Sequence, residues 1–217
     1  MLTIFISKSV FNAVGYCFHR HDTLRYNLTQ NDLGAPPTPD ASTLTNASQR
    51  TPSLSDCFPE LSVKYPGATV EVNMSSVEAP IVRFHEQKLR VTLLGSGIFR
   101  ARLPDGERMD LVRTVVKIET FVALKLEVGK LTGNVTSAWP TSIKYTESQQ
   151  NSVNGKALKE VLCQISAQFL RNKFGEIAQQ GIPLPRPLIP GVLRFENTEM
   201  VMEENYLRVD TDLRFRN

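Results

Sequence analysis

The side chains that could do chemistry are few and poorly spaced for it. His19 and His21 stand two apart at the end of an apolar helical pattern. Positions two apart on a helix point in different directions, so they make no metal-binding pair and read as surface residues. His85 stands alone between strand patterns and reads as solvated. Asp210 and Asp212 would share one face of a strand, as paired acid–base carboxylates do. Arg208 and Arg214 share that face, which makes it a charge-balanced surface. Gly95-Ser96-Gly97 is too short for a nucleophile elbow and reads as a hairpin turn. The sequence has no G-x-S-x-G, H-E-x-x-H, P-loop or dinucleotide fingerprint. No catalytic residue and no metal ligand is nominated, no cofactor is expected, and an enzyme is not indicated.

Cys17, Cys57 and Cys163 are an odd set, so at least one thiol stays unpaired within the chain. Cys17 and Cys163 fall in apolar helical patterns and read as buried thiols. Cys57 lies near a loop and is the first choice for any disulfide, although spacing sets no pairing. Four sequons begin at Asn27, Asn46, Asn73 and Asn134. They are candidate glycosylation sites if the chain enters the secretory path.

The strongest pattern is apolar. Residues 112–128 alternate, with Val112, Thr114, Val116, Ile118, Thr120, Val122, Leu124, Leu126 and Val128 on one side. Arg113, Lys117, Glu119, Lys125 and Glu127 stand on the other. Period two predicts a strand with one apolar face, roughly 55 Å long at about 3.3 Å per residue. So long a one-sided strand suits a curved sheet around an apolar interior. Periodicity serves a side-chain-filled core and a hollow lined for a ligand equally well.

The elements around it follow from spacing and punctuation. Residues 4–19 predict a helix, followed by a strand around Leu24–Leu28. Residues 34–55, with Pro36, Pro37, Pro39, Pro52 and much Ser, Thr and Ala, predict a flexible loop. A short helical turn over Leu54–Lys64 ends at Pro66-Gly67. Strands are expected at Val70–Met74 and Ile81–Phe84, then on either side of Gly95-Ser96-Gly97. Pro104-Asp105-Gly106 turns the chain into the long strand. Lys130–Gly133 is expected to turn it back into Asn134–Ser137, with Ile143–Tyr145 beyond. From Lys156 to Gln180, Leu158, Val161, Leu162, Ile165, Phe169, Ile177 and Ala178 form one helical stripe. Gly181 sits where a left-handed C-terminal residue belongs, and Pro183 and Pro185 forbid continuation. Alternation returns from Leu207 to Phe215. Helices near both ends with antiparallel strands between predict an α+β fold.

Composition narrows the function classes. The 217 residues are 41% hydrophobic and 22% charged, with a formal net charge of +3. No Lys/Arg run offers a phosphate-binding stripe, so nucleic acid is not an expected partner. No window is apolar enough to cross a membrane as a helix. The segment Met1–Val10 does not read as a secretory signal.

Several segments, in this order, resemble the C-terminal domain of the family of bactericidal/permeability-increasing, lipopolysaccharide-binding and lipid-transfer proteins. Ser7-Lys8-Ser9-Val10-Phe11-Asn12-Ala13 resembles the opening helix of that domain. Phe58-Pro59-Glu60 and Lys64-Tyr65-Pro66 resemble its short helix. Ala101-Arg102-Leu103-Pro104-Asp105-Gly106 resembles the segment before its long strand. The nearest match is the helix running into Gly181-Ile182-Pro183-Leu184-Pro185, and Val209-Asp210-Thr211-Asp212-Leu213 fits the last strand.

The resemblance covers nearly the whole chain and implies one tubular lipid-binding domain over residues 1–217. Its fold would be a long, highly twisted antiparallel sheet wrapped on a long helix. It implies a phospholipid-like amphiphile as ligand, with acyl chains held by Val112, Val116, Ile118, Val122, Leu124 and Leu126 of the strand. Leu158, Leu162, Ile165 and Phe169 of the long helix, and Phe11, Val14 and Phe18 of the first, would join them. It also implies a secreted, extracellular, glycosylated protein serving innate immunity and touching membrane or lipoprotein surfaces. Family members carry two such domains joined by a central sheet. Residues 1–217 match the second alone, so the lipopolysaccharide-binding tip of the first is not carried over. The edges of the central sheet would be left open to a missing N-terminal domain or to self-association. The alternative is a non-enzymatic protein-interaction module with a side-chain-filled core and no lipid.

Overall fold

In a computed structural model, the alternation in the middle of the chain becomes a strand of 20 residues, Arg108–Glu127. Its even positions from Val112 to Val122 are buried, and Leu124 and Leu126 are partly so. The structure describes residues 2–29, 54–85, 87–127, 130–147, 153–170, 172, 175–183 and 193–215. The expected loop, through residue 53, lies outside them, as do Asn46 and Val128.

In chain order the elements are β1 (Leu2–Ser7), α1 (Lys8–Arg20), β2 (Tyr26–Thr29), α2 (Leu54–Cys57) and α3 (Pro59–Lys64). Next come β3 (Thr69–Ser76), β4 (Ile81–His85), β5 (Lys88–Arg102), β6 (Arg108–Glu127) and β7 (Lys130–Glu147). The chain ends in α4 (Gly155–Phe169), α5 (Gly175–Gln180), β8 (Ile182–Pro183), β9 (Leu193–Met202) and β10 (Tyr206–Phe215). One antiparallel sheet runs β2-β3-β5-β6-β7-β8. In it β3 and β4 share one edge of β5, β3 on residues 95–102 and β4 on residues 88–92. A second sheet runs β1-β10-β9. This is the expected α+β class, a mostly antiparallel sheet wrapped on helices.

Bulges bend the long strands. The register between β5 and β6 shifts at Phe99/Arg100, so Leu111 is extra and both Leu111 and Val112 turn inward. Between β6 and β7 it shifts at Lys117/Ile118 and at Phe121/Val122, which leaves Thr141 and Thr136 extra. At each of these two, the threonine hydroxyl donates to the carbonyl beside the shift: Thr141 to Lys117 and Thr136 to Phe121, both at 3.2 Å. A bulge raises local twist and tolerates a residue without an N–H, which is why Pro140 can sit inside β7.

Five local expectations are corrected. Residues 4–19 are not one helix. Leu2–Ser7 pair with β10, and α1 begins after Ser7, whose extended backbone and Oγ, accepting from Ser9 N, make it the N-cap. Ile4 and Ile6 alternate with exposed Phe5, a period-two signal hidden by the helical stripe that follows. Gly95-Ser96-Gly97 is no turn but the middle of β5. Gly95 and Gly97 stand on the buried face, and a Cβ at Gly97 would meet Thr114 Oγ1 at 2.7 Å. Lys130–Gly133 already belongs to β7, which runs unbroken across both strands expected there.

The helix expected over Lys156–Gln180 is two helices. It widens into a π-type turn at Leu170 and Asn172, near Gly175, where helix propensity is low. The expected buried Cys17 is exposed, and Cys57 rather than Cys17 is buried. At about 100° per residue, Cys17 lies roughly 110° from the centre of the stripe formed by Phe11, Val14, Gly15 and Phe18. None of Cys17, Cys57 and Cys163 is in a disulfide. The turn at Pro104-Asp105-Gly106 holds, with Gly106 at φ 89° and Asp105 accepting from Glu107 N.

Helix α4 fills one end of the curve. Asn154 caps it, accepting from Ala157 N at 3.2 Å, and donates its own N–H to Cys57 O. Leu158, Leu162 and Ile165 are fully buried, as are Phe58, Phe99 and Leu111 of the same core. Phe58 and Phe99 meet at 6.0 Å between ring centres, and Tyr26 lies against Phe169.

Candidate functional site

The other end of the curve is not filled. A cleft of about 160 Å³ opens between α1 and α5 over the inner face of β5, β6 and β7. Its floor is buried: Leu89 and Val91 from β5, Val122 from β6 and Leu131 from β7. Phe11 and Val82 close one wall, and Ile177, Ala178 and Ile182 the other. Val14, Phe18 and Leu124 are half-buried at the rim. Among the described lining residues Thr132 and Gln180 are the only polar side chains, and none is charged.

Small residues and one side-chain amide set the width. On the first wall a Cβ at Gly15 would meet Pro80 O at 3.1 Å, so α1 lies close against the start of β4. Asn12 fastens the two elements. Its Oδ1 accepts from Val82 N at 2.8 Å, and its Nδ2 donates to Val82 O at 3.4 Å and Lys8 O at 3.2 Å. The amide thus takes the place of a neighbouring strand along the free edge of β4. Phe11 then meets Phe84 edge to face at 5.5 Å. On the second wall, a Cβ at Gly133 would come within 2.7 Å of Val122 Cγ1 and 3.3 Å of Ala178 Cβ, which lets α5 press on β7. Gly181 ends α5 at φ 72°, as its position predicts, and its N–H donates to Ile177 O.

An enclosed apolar cavity of about this size accepts a group such as benzene. Drug-sized ligands occupy about 300–1,000 Å³. The cleft therefore suits a ring or part of an alkyl chain, with the remainder of a larger molecule outside the mouth. Among the described lining residues none has a titratable side chain. Among the described residues no cluster of His, Cys, Asp and Glu could hold a metal, and no helix is long and apolar enough to cross a membrane.

Of the residues nominated for acyl chains, Phe11, Val14, Phe18, Val122 and Leu124 line this cleft together. Val112, Val116, Ile118, Leu158, Leu162, Ile165 and Phe169 do not. They are 4% exposed or less and belong to the packed core. Leu126 is partly buried against that core. The wall from Ile177 to Ile182 was visible only in part, as the tail of a helical stripe. Pro80, Val82 and Gly133 carried no signal, because they meet the others only once the sheet has curved.

The remaining chemistry-bearing residues stand apart. His19 is half-buried, with Nδ1 2.8 Å from Ser76 Oγ. His85 is exposed but lies 5.7 Å from the Phe121 ring. Arg208 pairs with Asp210 at 3.0 Å and Arg214 with Glu196 at 3.0 Å, so that face is charge-balanced as expected. Arg100 donates to Asp110 and, with Arg113, holds its carboxyl below the usual range against a smaller opposing effect of burial. Burial, with Asp56 adjacent, pushes the Cys57 thiol up to about 12. Burial also raises Cys163. Asn27 and Asn134 are exposed on strands, and Asn73 is half-buried as the register partner of Asn27.

The chain matches known proteins over its whole length. The model of the LBP / BPI / CETP family, C-terminal domain, matches residues 1–215. Human lipopolysaccharide-binding protein is 24% identical over 185 residues, which is 85% of this chain and 37% of that protein. A crystal structure of lipopolysaccharide binding protein superposes with a TM-score of 0.57 at 17% identity, over 99% of this chain and 43% of that one. The chain thus spans about two fifths of the length of the relatives it matches.

Proposed function

From the premise that this chain belongs to the LBP / BPI / CETP family through its C-terminal domain, we infer that it is a lipid-binding protein whose cleft takes the acyl part of a phospholipid-like amphiphile. Membership of the family supports lipid binding at the family level. The observation that carries the finer reading is the asymmetry of the interior: side chains fill it at α4, and an uncharged apolar cleft remains between α1 and α5. Burying alkyl carbon gains about 0.8 kcal/mol per CH₂, so micromolar binding, about 8.2 kcal/mol, takes roughly ten methylenes or more, and the part of the amphiphile outside the cleft has to contribute. The polar headgroup stays at the mouth, where Gln180 is exposed.

The same reading makes the protein secreted and glycosylated, with a role in extracellular innate immunity. Its support is the likeness to human lipopolysaccharide-binding protein. A second domain would complete the sheet β1-β10-β9, in which β1 and β9 are the edge strands. Binding of lipopolysaccharide by this chain is not proposed.

The test is native mass spectrometry of the chain purified from a secreting eukaryotic host. The expected result is a bound amphiphile that the Leu124→Trp variant loses while keeping its fold. A ligand-free protein supports the second reading, an interaction module with a side-chain-filled core. The packed α4 end favours that reading. It does not account for the cleft.

A further inference from the structure

The outer face of the same sheet carries a feature that the interior does not explain. On it, the His85, Phe121 and Trp139 rings form a row, at 5.7 Å and 5.6 Å between centres. Trp139 is 43% exposed and is the only tryptophan in the chain. Register sets Arg83, Arg90 and Phe121 in one cross-strand row, His85, Lys88 and Ala123 in another, and Glu119 beside Trp139. Arg83, Lys88, Lys117 and Lys125 are exposed on this face. Its carboxylates among the described residues are offset: Glu119 pairs with Arg90 at 2.6 Å, and Glu127 lies in register with Lys130. The face is therefore aromatic at its centre and cationic around it.

We propose that this face docks on a bilayer surface bearing anionic headgroups, with Trp139 and Phe121 entering the headgroup layer. Indole rings settle at that depth because one end is apolar and the other carries an N–H donor. Lysine and arginine near an anionic leaflet each strengthen attachment about fivefold, an effect that falls off within a Debye length. A protein partner with an acidic groove would match both the charges and the rings, and absence of sedimentation with either vesicle is the outcome that favours it. Docking through this face does not require a ligand in the cleft, so the two can fail separately. Asn134, the register partner of Ala123, is exposed at the border of the face. A glycan there would hold the face off a bilayer, so docking requires Asn134 unmodified.

The experiment is tryptophan fluorescence with co-sedimentation, in an Asn134→Gln background. Vesicles of equal parts phosphatidylcholine and phosphatidylserine are compared with vesicles of phosphatidylcholine alone. The expected result is sedimentation with the anionic vesicles only, a blue shift of Trp139 emission, and reversal by added salt. Arg83→Gln with Lys88→Gln should weaken binding roughly 25-fold. The control pair Arg25→Gln with Lys156→Gln should change it little. Binding with unshifted Trp139 emission, equal binding to both vesicles, no binding, or an intact affinity in the Arg83/Lys88 double variant would each overturn the proposal. Cleft occupancy, read separately by native mass spectrometry, is unaffected by these variants.

Discussion

The division of the interior into a packed end and an open end makes a sharp prediction for one pair of truncations, Ile165→Ala and Leu124→Ala. Ile165 is fully buried on α4 among other fully buried side chains, so its removal leaves a cavity that its neighbours cannot collapse to fill. Such truncations cost about 2–5 kcal/mol, and this site belongs in the upper half of that range. Leu124 is half-buried at the rim of a space that already exists. Its truncation adds little new cavity and loses only the transfer energy of the part of its side chain now covered, about 1–2 kcal/mol. In a chain of this size each kcal/mol moves the melting temperature by about 2–4 °C. Calorimetry should therefore place Ile165→Ala roughly 7–20 °C below the parent and Leu124→Ala roughly 2–8 °C below. Equal losses at the two positions would refute the division, as would a greater loss at Leu124.

Gly97→Val puts a branched side chain where even a Cβ lies 2.7 Å from Thr114 Oγ1. It should destabilise by about 1–3 kcal/mol or more in urea unfolding, whereas a true turn glycine would show no such clash. Ser166 Oγ is buried without a hydrogen-bond partner, alone among buried side-chain atoms of the described residues. Ser166→Ala should leave stability unchanged or raise it by about 1 kcal/mol; a clear loss would reveal a partner. For the thiols, Ellman's reagent should find exposed Cys17 quickly in the native protein, and Cys57 only on unfolding. Because the folded Cys57 pKa is raised to about 12, its contribution to stability is complete below the pKa of the unfolded thiol. It is lost as pH rises from about 9 towards 12, by at most about 1.4 kcal/mol per unit, and Cys57→Ala should flatten that decline.

The sequence was most legible where one period ran long. The even face of β6, the turn at Gly106 and the end of α5 at Gly181 could all be read, because pleat and positive φ each demand a residue type. Legibility failed where a second requirement overrode the local one. Gly95 and Gly97 look like turn residues, yet both lie mid-strand, and at Gly97 a close cross-strand approach to Thr114 explains the residue type. Leu2–Ser7 lost its strand signal to the adjoining helix, and its pairing with β10 spans most of the chain. The cleft was half visible. Phe11, Val14, Phe18, Val122 and Leu124 share an apolar pattern, but nothing local told them apart from Leu158 or Ile165. Which apolar residues touch each other and which touch a void depends on where bulges at Thr136 and Thr141 bend the sheet, and their side chains do not announce it.

The central claim is that a lipid's apolar part lies between α1 and α5. Photo-crosslinking with a diazirine-bearing single-chain amphiphile, followed by peptide mapping, tests it most directly. Label is expected on Phe11–Phe18, on Val122–Leu124, on Leu131–Gly133 of β7 and on Ile177–Ile182 of α5 and β8. Label confined to Leu158–Phe169 of α4 would place the ligand in the packed core instead. Label only on the outer face around Trp139, or none at all, would contradict the claim outright.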